Sequence, residues 1–207
     1  MTVDRAALVA AIGRLQPAME REAERLNAAD AALGDGDLGV TMTRGMALVA
    51  EAAPELPEDL GQALLRCAQA FTKSSGSSYG TLLATGLMAA AKATRGRSEV
   101  EVGDLAGLVA AARDAMAARG KAELGGKTVL DSLDAVATAL EGVSDPGAAG
   151  AAAAGAARGA LETFRERPAT VGRARIFAEK SRGLDDPGML AMALVVAAVA
   201  GEEVPGD

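Results

Sequence analysis

Apolar side chains recur three and four residues apart along most of this chain. Leu8, Ile12, Leu15, Met19 and Leu26 form one such series; Leu105, Leu108, Val109, Ala112 and Met116 form a second; Leu130, Leu133, Ala137 and Leu140 form a third. This spacing follows the turn of an α-helix and puts each series on one face. No run alternates convincingly as a strand would. Pro54 and Pro57, the Ser/Gly stretch 74–80, Gly96, the Gly120–Gly126 loop, Asp145-Pro146, Pro168 and Asp186-Pro187 punctuate the pattern. It predicts about eight helices, over 4–26, 41–53, 58–71, 79–93, 104–120, 127–141, 146–166 and 188–200. Short connections between long helices imply antiparallel neighbours, hence an all-α bundle or ring. Gly147–Gly159 is almost pure Ala and Gly. It reads as a closely packed helix instead of a linker, because Ala is the best helix former.

Composition narrows this. A length of 207 residues suits one domain spanning 1–207. Half the residues are apolar, but there are three Phe, one Tyr and no Trp, so the core must be built from Ala, Leu, Val, Ile and Met. A net charge of −7 argues against general nucleic-acid binding and against docking on an anionic membrane. The apolar run Met189–Ala200 has about half the ~20 residues of a membrane span and reads as a buried helix. The N-terminus, with Asp4 and a short apolar stretch, reads as an amphipathic helix and not as a signal peptide. A lone cysteine, Cys67, lies in an apolar helical pattern and suits a reducing, cytoplasmic setting as a small buried hydrophobe. There is no histidine, so no imidazole base, phosphoryl carrier or metal ligand is available.

The interruptions carry the candidate chemistry. In LNAADAALGDGDLGVT (Leu26–Thr41), Asp30, Asp35 and Asp37 fall close together among Gly34, Gly36 and Gly39. Glycine lets the backbone fold tightly, so these carboxylates can converge. Two converged charges 4 Å apart repel by roughly 1 kcal/mol in water and about 4 at an effective dielectric of 20. A hard divalent cation with oxygen ligands offsets that; Mg²⁺ takes one or two carboxylates plus substrate phosphates. A solvated turn whose Asp caps the next helix explains the same residues. GDGDLG spells a dinucleotide fingerprint, but no strand precedes it and its variable positions are acidic. An EF-hand counted from Asp35 would need Gly at Val40 and Glu at Met46.

Three further segments have the same double reading. KSSGSSYGT (Lys73–Thr81) opens a helix with small hydroxyl residues and glycines, which suits a phosphate or a plain capped loop. GKAELGGKTVLD (Gly120–Asp131) resembles a P-loop, but the first glycine of that motif falls on Lys121 and no strand precedes it; a glycine-lined pocket wall remains open. GRARIFAEKSRGLDDPGM (Gly172–Met189) gathers Arg173, Arg175, Lys180 and Arg182 in an acidic chain, as a phosphate site or a solvated basic loop would.

In this order, the four segments resemble the nucleotide-binding L subunit (DhaL-type) of dihydroxyacetone kinases. The shared residues are Asp30, Gly34, Asp35, Gly36, Asp37, Gly39, Met42, Arg44 and Gly45; Ser75, Gly76, Tyr79, Gly80 and Thr81; Gly125, Lys127, Thr128, Asp131 and Leu133; and Gly172, Arg173, Ala174, Ser181, Gly183, Asp186, Pro187 and Gly188. The resemblance implies a closed antiparallel eight-helix barrel. It implies two Mg²⁺ ions on Asp30, Asp35 and Asp37, bridging the phosphates of ATP or ADP. Nucleotide contacts would come from Leu38, Gly39, Val40, Thr41, Ser77, Ser78, Gly120, Val129, Arg173, Asp186, Pro187 and Gly188. The implied activity is phosphoryl transfer to a small ketose held by a histidine-bearing K-type partner subunit. Either ATP is the substrate, or ADP is a cofactor rephosphorylated by a phosphotransferase-system protein. Leu38, Thr41 and Gly126 replace the family's His, Asn and Asp, which leaves the metal ligands intact and is compatible with a related ketose such as erythrulose. A non-catalytic Mg-nucleotide sensor, a plain helical scaffold and pairing with a second copy of the chain are the rival readings.

Overall fold

The computed structural model describes residues 1–73 and 77–202. Among these residues the chain is all-α apart from one two-stranded ribbon. Among the described residues it has nine α-helices: α1 (Arg5–Arg21), α2 (Ala23–Leu33), α3 (Leu38–Ala52), α4 (Leu60–Thr72), α5 (Ser78–Ala93), α6 (Leu105–Gly120), α7 (Val129–Ala139), α8 (Pro146–Arg165) and α9 (Pro187–Ala200). Most starts are written into the sequence. Asp4, Asp59, Ser77, Asp145 and Asp186 each accept a backbone N–H of the first turn that has no helical partner. Pro146 and Pro187 occupy first helical positions, where a missing N–H costs nothing.

Two features depart from the sequence pattern. The single helix expected over 4–26 breaks at Glu22, and its second part continues to Leu33, so most of the polar stretch Asn27–Gly39 is helix and not loop. Ala and Leu supply the helix propensity there, while Asn27 and Asp30 occupy half-buried positions. The second departure is the ribbon β1 (Thr2–Asp4) and β2 (Glu99–Glu101), paired antiparallel with Val3 opposite Val100. Three-residue strands are too short for a period to register in sequence, and Val100 is the buried residue that anchors this pair.

The helix neighbours run in a cycle. α1 packs on α3, α3 on α4, α4 on α5, and so on through α8 on α9, and α9 packs back on α1. The core between them is Leu, Met, Val and Ala around one aromatic ring, Phe71, which is fully buried. Small residues set the approach of the helices. A Cβ on Gly45 would lie 2.3 Å from the Phe71 ring, and one on Gly61 would lie 2.5 Å from the Arg95 backbone. The Ala-rich stretch is helical in α8 and buries Ala149, Ala153, Ala154, Ala157, Ala160 and Leu161 on one face. Cys67 is buried in α4, and burial pushes its thiol up to about 11, which makes it inert as a nucleophile near neutrality. Among the described residues no helix is long and apolar enough to cross a membrane.

Candidate functional site

Alternate helices start at the same end of the molecule. Leu38, Ser78, Val129 and Pro187, the first residues of α3, α5, α7 and α9, all line one cavity of about 510 Å³. Leu33 and Gly120, the last residues of α2 and α6, line it too. Helix N-termini present unpaired N–H groups and the positive end of the helix dipole, so their convergence favours an anion. The volume is that of an ordinary small-ligand site, about 300–1,000 Å³.

One wall is acidic. Asp30 stands on the last turn of α2, and Asp35 and Asp37 stand on the short link to α3. One carboxylate oxygen from each lies within 4.8 Å of the others. Gly36, at φ +78°, makes the reversal a side chain would strain, and a Cβ on Gly34 would sit 2.5 Å from an Asp30 oxygen. Asp30 Oδ2 accepts the Asp37 N–H at 3.0 Å. Burial raises the Asp30 carboxyl, with the Asp35 charge adding to it. Asp35 is lowered because it pairs with the Arg173 guanidinium. The capping explanation of this cluster does not hold. Asp37 precedes α3 but its side chain caps nothing. Asn27 does that work from α2, its Oδ1 accepting Gly39 N–H at 2.8 Å and Val40 N–H at 3.3 Å. The Asp37 carboxylate is thereby left to the cluster.

The cavity lining also carries Arg119, at the end of α6, and Arg173, in a 3₁₀ turn over Arg173–Phe177 that follows Gly172 at φ +69°. Lys127 of the P-loop-like segment takes no part. It is 1% exposed, and its Nζ donates to the carbonyl oxygens of Arg165 (2.8 Å), Arg167 (2.9 Å) and Ser181 (2.6 Å). Its three protons are thus spent on fastening the segment that bears Arg173. Thr128 and Asp131 close a capping box on α7, and Asp131 also accepts Gly125 N–H at 2.5 Å. Tyr79 completes the far side by donating its hydroxyl to the Gly188 carbonyl at 3.1 Å.

Asp186 lines the cavity, is buried, and caps α9 through Met189 N–H at 2.9 Å. Burial pushes its carboxyl up to about 6. A carboxyl raised on folding takes up protons relative to the unfolded chain, so the folded state loses stability as pH rises from the unfolded value, near 4, through 6. Asp186→Asn keeps the cap acceptor and removes the buried charge. Its stability relative to the parent should rise across that window by up to about 3 kcal/mol, then level off. Urea melts at pH 4, 5, 6 and 7 check this; a difference constant with pH contradicts it.

Of the residues marked from sequence, Asp30, Asp35, Asp37, Leu38, Ser77, Ser78, Gly120, Val129, Arg173, Asp186, Pro187 and Gly188 line this cavity. Gly39, Val40 and Thr41 do not: they continue α3, with Gly39 against α2, Val40 exposed and Thr41 buried. Ser75 and Gly76 lie outside the described residues. Sequence reasoning missed Arg119 and the apolar lining of Leu82, Met116, Ala122, Leu130 and Val171. The one available signal was the position of Met116 and Arg119 on the last turns before Gly120.

Fold and cleft together define an all-helical domain whose converging helix starts line one cavity with a carboxylate cluster and two arginines. The DAK2 domain matches residues 32–201, and the chain belongs to that family. It is 31% identical over 193 residues to the PEP-dependent dihydroxyacetone kinase, ADP-binding subunit DhaL, of Escherichia coli K12, covering 91% of this chain and 92% of that subunit. It is 34% identical over 178 residues to L-erythrulose kinase of Pectobacterium atrosepticum, covering 82% of this chain but 30% of that protein. Among solved structures, native dihydroxyacetone kinase of C. freundii superposes with a TM-score of 0.73 at 26% identity, over 95% of this chain and 34% of that one. The fold is equally that of the same kinase in complex with AMP-PNP and Mg²⁺, at a TM-score of 0.72 and 24% identity, over 98% of this chain and 35% of that one. The chain thus spans about a third of the erythrulose kinase and of the C. freundii enzyme.

Proposed function

We propose that residues 1–207 form a single nucleotide-binding domain acting as a kinase subunit of the dihydroxyacetone kinase type. It presents a Mg²⁺-bound adenine nucleotide, ATP or a resident ADP, to a small ketose held by a K-type partner. The carrying observation is the three-carboxylate cluster lining one cavity with Arg173, Arg119 and the starts of α3, α5, α7 and α9. Membership of the DAK2 family and likeness to an ADP-binding subunit support the same reading.

Asp30, Asp35 and Asp37 would hold up to two Mg²⁺. Their hard, anionic oxygens suit Mg²⁺ and, as a probe of the same site, Mn²⁺. When bound, such ions neutralise phosphate oxygens, and the protein's share of phosphoryl transfer is positioning and charge stabilisation. Ser77, Ser78 and the starts of α7 and α9 orient the phosphates, Arg173 and Arg119 bring positive charge, and the apolar wall takes the base. The ketose hydroxyl and its base belong to the partner, which suits a chain without histidine. Dihydroxyacetone is the first choice of acceptor; erythrulose is the alternative, through the likeness to L-erythrulose kinase. In the version with resident ADP, a phosphotransferase-system protein rephosphorylates it.

A thermal melt tests the site. ADP with Mg²⁺ at about 100 times Kd should stabilise the chain by about 2.7 kcal/mol, a rise of several degrees. ADP without Mg²⁺ should leave Tm where it was. Asp35→Ala should remove the Mg²⁺-dependent rise. A rise of equal size in that variant refutes the ligand assignment.

A further inference from the structure

The ion pair between Arg173 and Asp35 ties the segment after α8 to the link between α2 and α3. Both side chains are about half exposed, 52% and 50%, so solvent weakens the pair and it can exchange. Asp35 belongs to the carboxylate cluster, and Arg173 also lines the cavity where phosphates would lie. A guanidinium resting on one carboxylate of three relieves part of their mutual repulsion when no metal is present. The main chain beside it is held in place. Lys127 fastens the carbonyls of Arg165, Arg167 and Ser181 at either end of the segment, and Thr170 N–H is bonded to the Gly126 carbonyl at 3.2 Å. What remains free to move is the arginine side chain.

We infer that Arg173 is an exchangeable counter-ion: it occupies Asp35 in the metal-free protein, yields that carboxylate to the incoming divalent ion, and turns to the polyphosphate that arrives with it. This rests on the metal and nucleotide reading above. The chemistry runs one way. A carboxylate that gains a divalent cation no longer needs a guanidinium, and a guanidinium displaced from a carboxylate finds phosphate oxygens of matching geometry. Free metal must therefore compete with Arg173, whereas metal arriving with nucleotide gives Arg173 a second partner. Metal and nucleotide strengthen each other's binding, and the coupling is reciprocal.

The test is Mn²⁺ binding to the full chain, followed by the loss of the free-ion paramagnetic resonance signal, with and without ADP. Without ADP, Arg173→Gln should bind Mn²⁺ about tenfold more tightly than the parent, because a competing positive charge beside the ligands is gone. Arg173→Lys, which keeps the charge, should stay within about twofold of the parent. The gain in Mn²⁺ affinity produced by ADP should be large in the parent and much smaller in Arg173→Gln. Unchanged or weaker Mn²⁺ binding by Arg173→Gln without ADP overturns the exchange, while intact Mn²⁺-ADP binding by the parent leaves the nucleotide site standing. If the parent binds Mn²⁺ neither alone nor with ADP, the site reading itself has failed and the exchange fails with it.

Discussion

Lys127→Met should lower the stability of the chain by about 2–3 kcal/mol, the usual contribution of hydrogen bonds made by a charged, buried donor. Met matches the length and apolar stem of Lys, so the substitution leaves packing nearly unchanged and removes only the ammonium. Three carbonyl oxygens, at 2.8, 2.9 and 2.6 Å, then lose Nζ; those of Arg165 and Ser181 keep the N–H groups of Gly183 and Leu184, and that of Arg167 loses its charged donor. A buried polar group left unpaired costs about 1–3 kcal/mol, and entry of water would recover part of that. Arg would not restore the contact, because a planar fork cannot aim at three carbonyls as a tetrahedral ammonium can. The backbone marks the position as over-determined: Lys127 sits at φ +59°, a conformation that a side-chain-bearing residue keeps only when its surroundings hold it there. The loss should appear in the urea midpoint, and as faster amide exchange across residues 166–181. A midpoint within about 1 kcal/mol of the parent refutes this account of Lys127.

Lys127 also marks where sequence stops being informative. Gly-Gly-Lys-Thr before a helix has the look of a phosphate loop, and only the glycine spacing and the lack of a preceding strand argue against it. Nothing local announces that the lysine points away from the cleft, because its partners lie 38, 40 and 54 positions further on. Local chemistry was legible where both partners are neighbours. Asp186-Pro187 and Asp145-Pro146 start helices as read, since cap and first turn lie within four residues. The acidic cluster was legible for the same reason, its three carboxylates standing within eight positions. The helical state of Asp30 was not, because a polar face on an Ala-rich segment looks like a loop until a neighbour covers the other face. Arg119 was invisible. It is one cation on a helix end, and only the convergence of distant helix starts makes it part of a site.

The capping of α3 shows how fold and site depend on each other. An aspartate before a helix ordinarily spends its carboxylate on the first turn. Here Asn27 reaches across from α2 and accepts from the Gly39 and Val40 N–H groups instead. That exchange is possible only because α2 and α3 nearly touch, and Gly39 is what lets them. Thus a residue outside the cavity decides whether the Asp37 carboxylate is free for the proposed metal site.

Gly39→Ala should therefore damage both stability and metal binding. The added Cβ would stand 2.0 Å from the Ala23 carbonyl oxygen and 2.7 Å from Asn27 Oδ1. The first neighbour is backbone in a packed helix and cannot rotate away, so α3 must shift relative to α2. Overpacking of this kind costs about 1–3 kcal/mol and occasionally more; with a backbone atom as the obstacle, the upper end is expected. The shift also stretches both bonds from Asn27, which returns the task of capping to Asp37 and draws its carboxylate out of the cluster. The predicted outcome is a fall in stability of about 3 kcal/mol or more together with loss of the Mg²⁺-dependent stabilisation by ADP. Gly155→Ala is the control: it lies on the exposed face of α8 with nothing within 4 Å of an added Cβ, and should stabilise by up to about 1 kcal/mol through helix propensity. If Gly39→Ala melts like the parent and still responds to Mg²⁺ and ADP, then close contact of α2 and α3 is not what frees Asp37, and the link between helix packing and the metal ligands is broken.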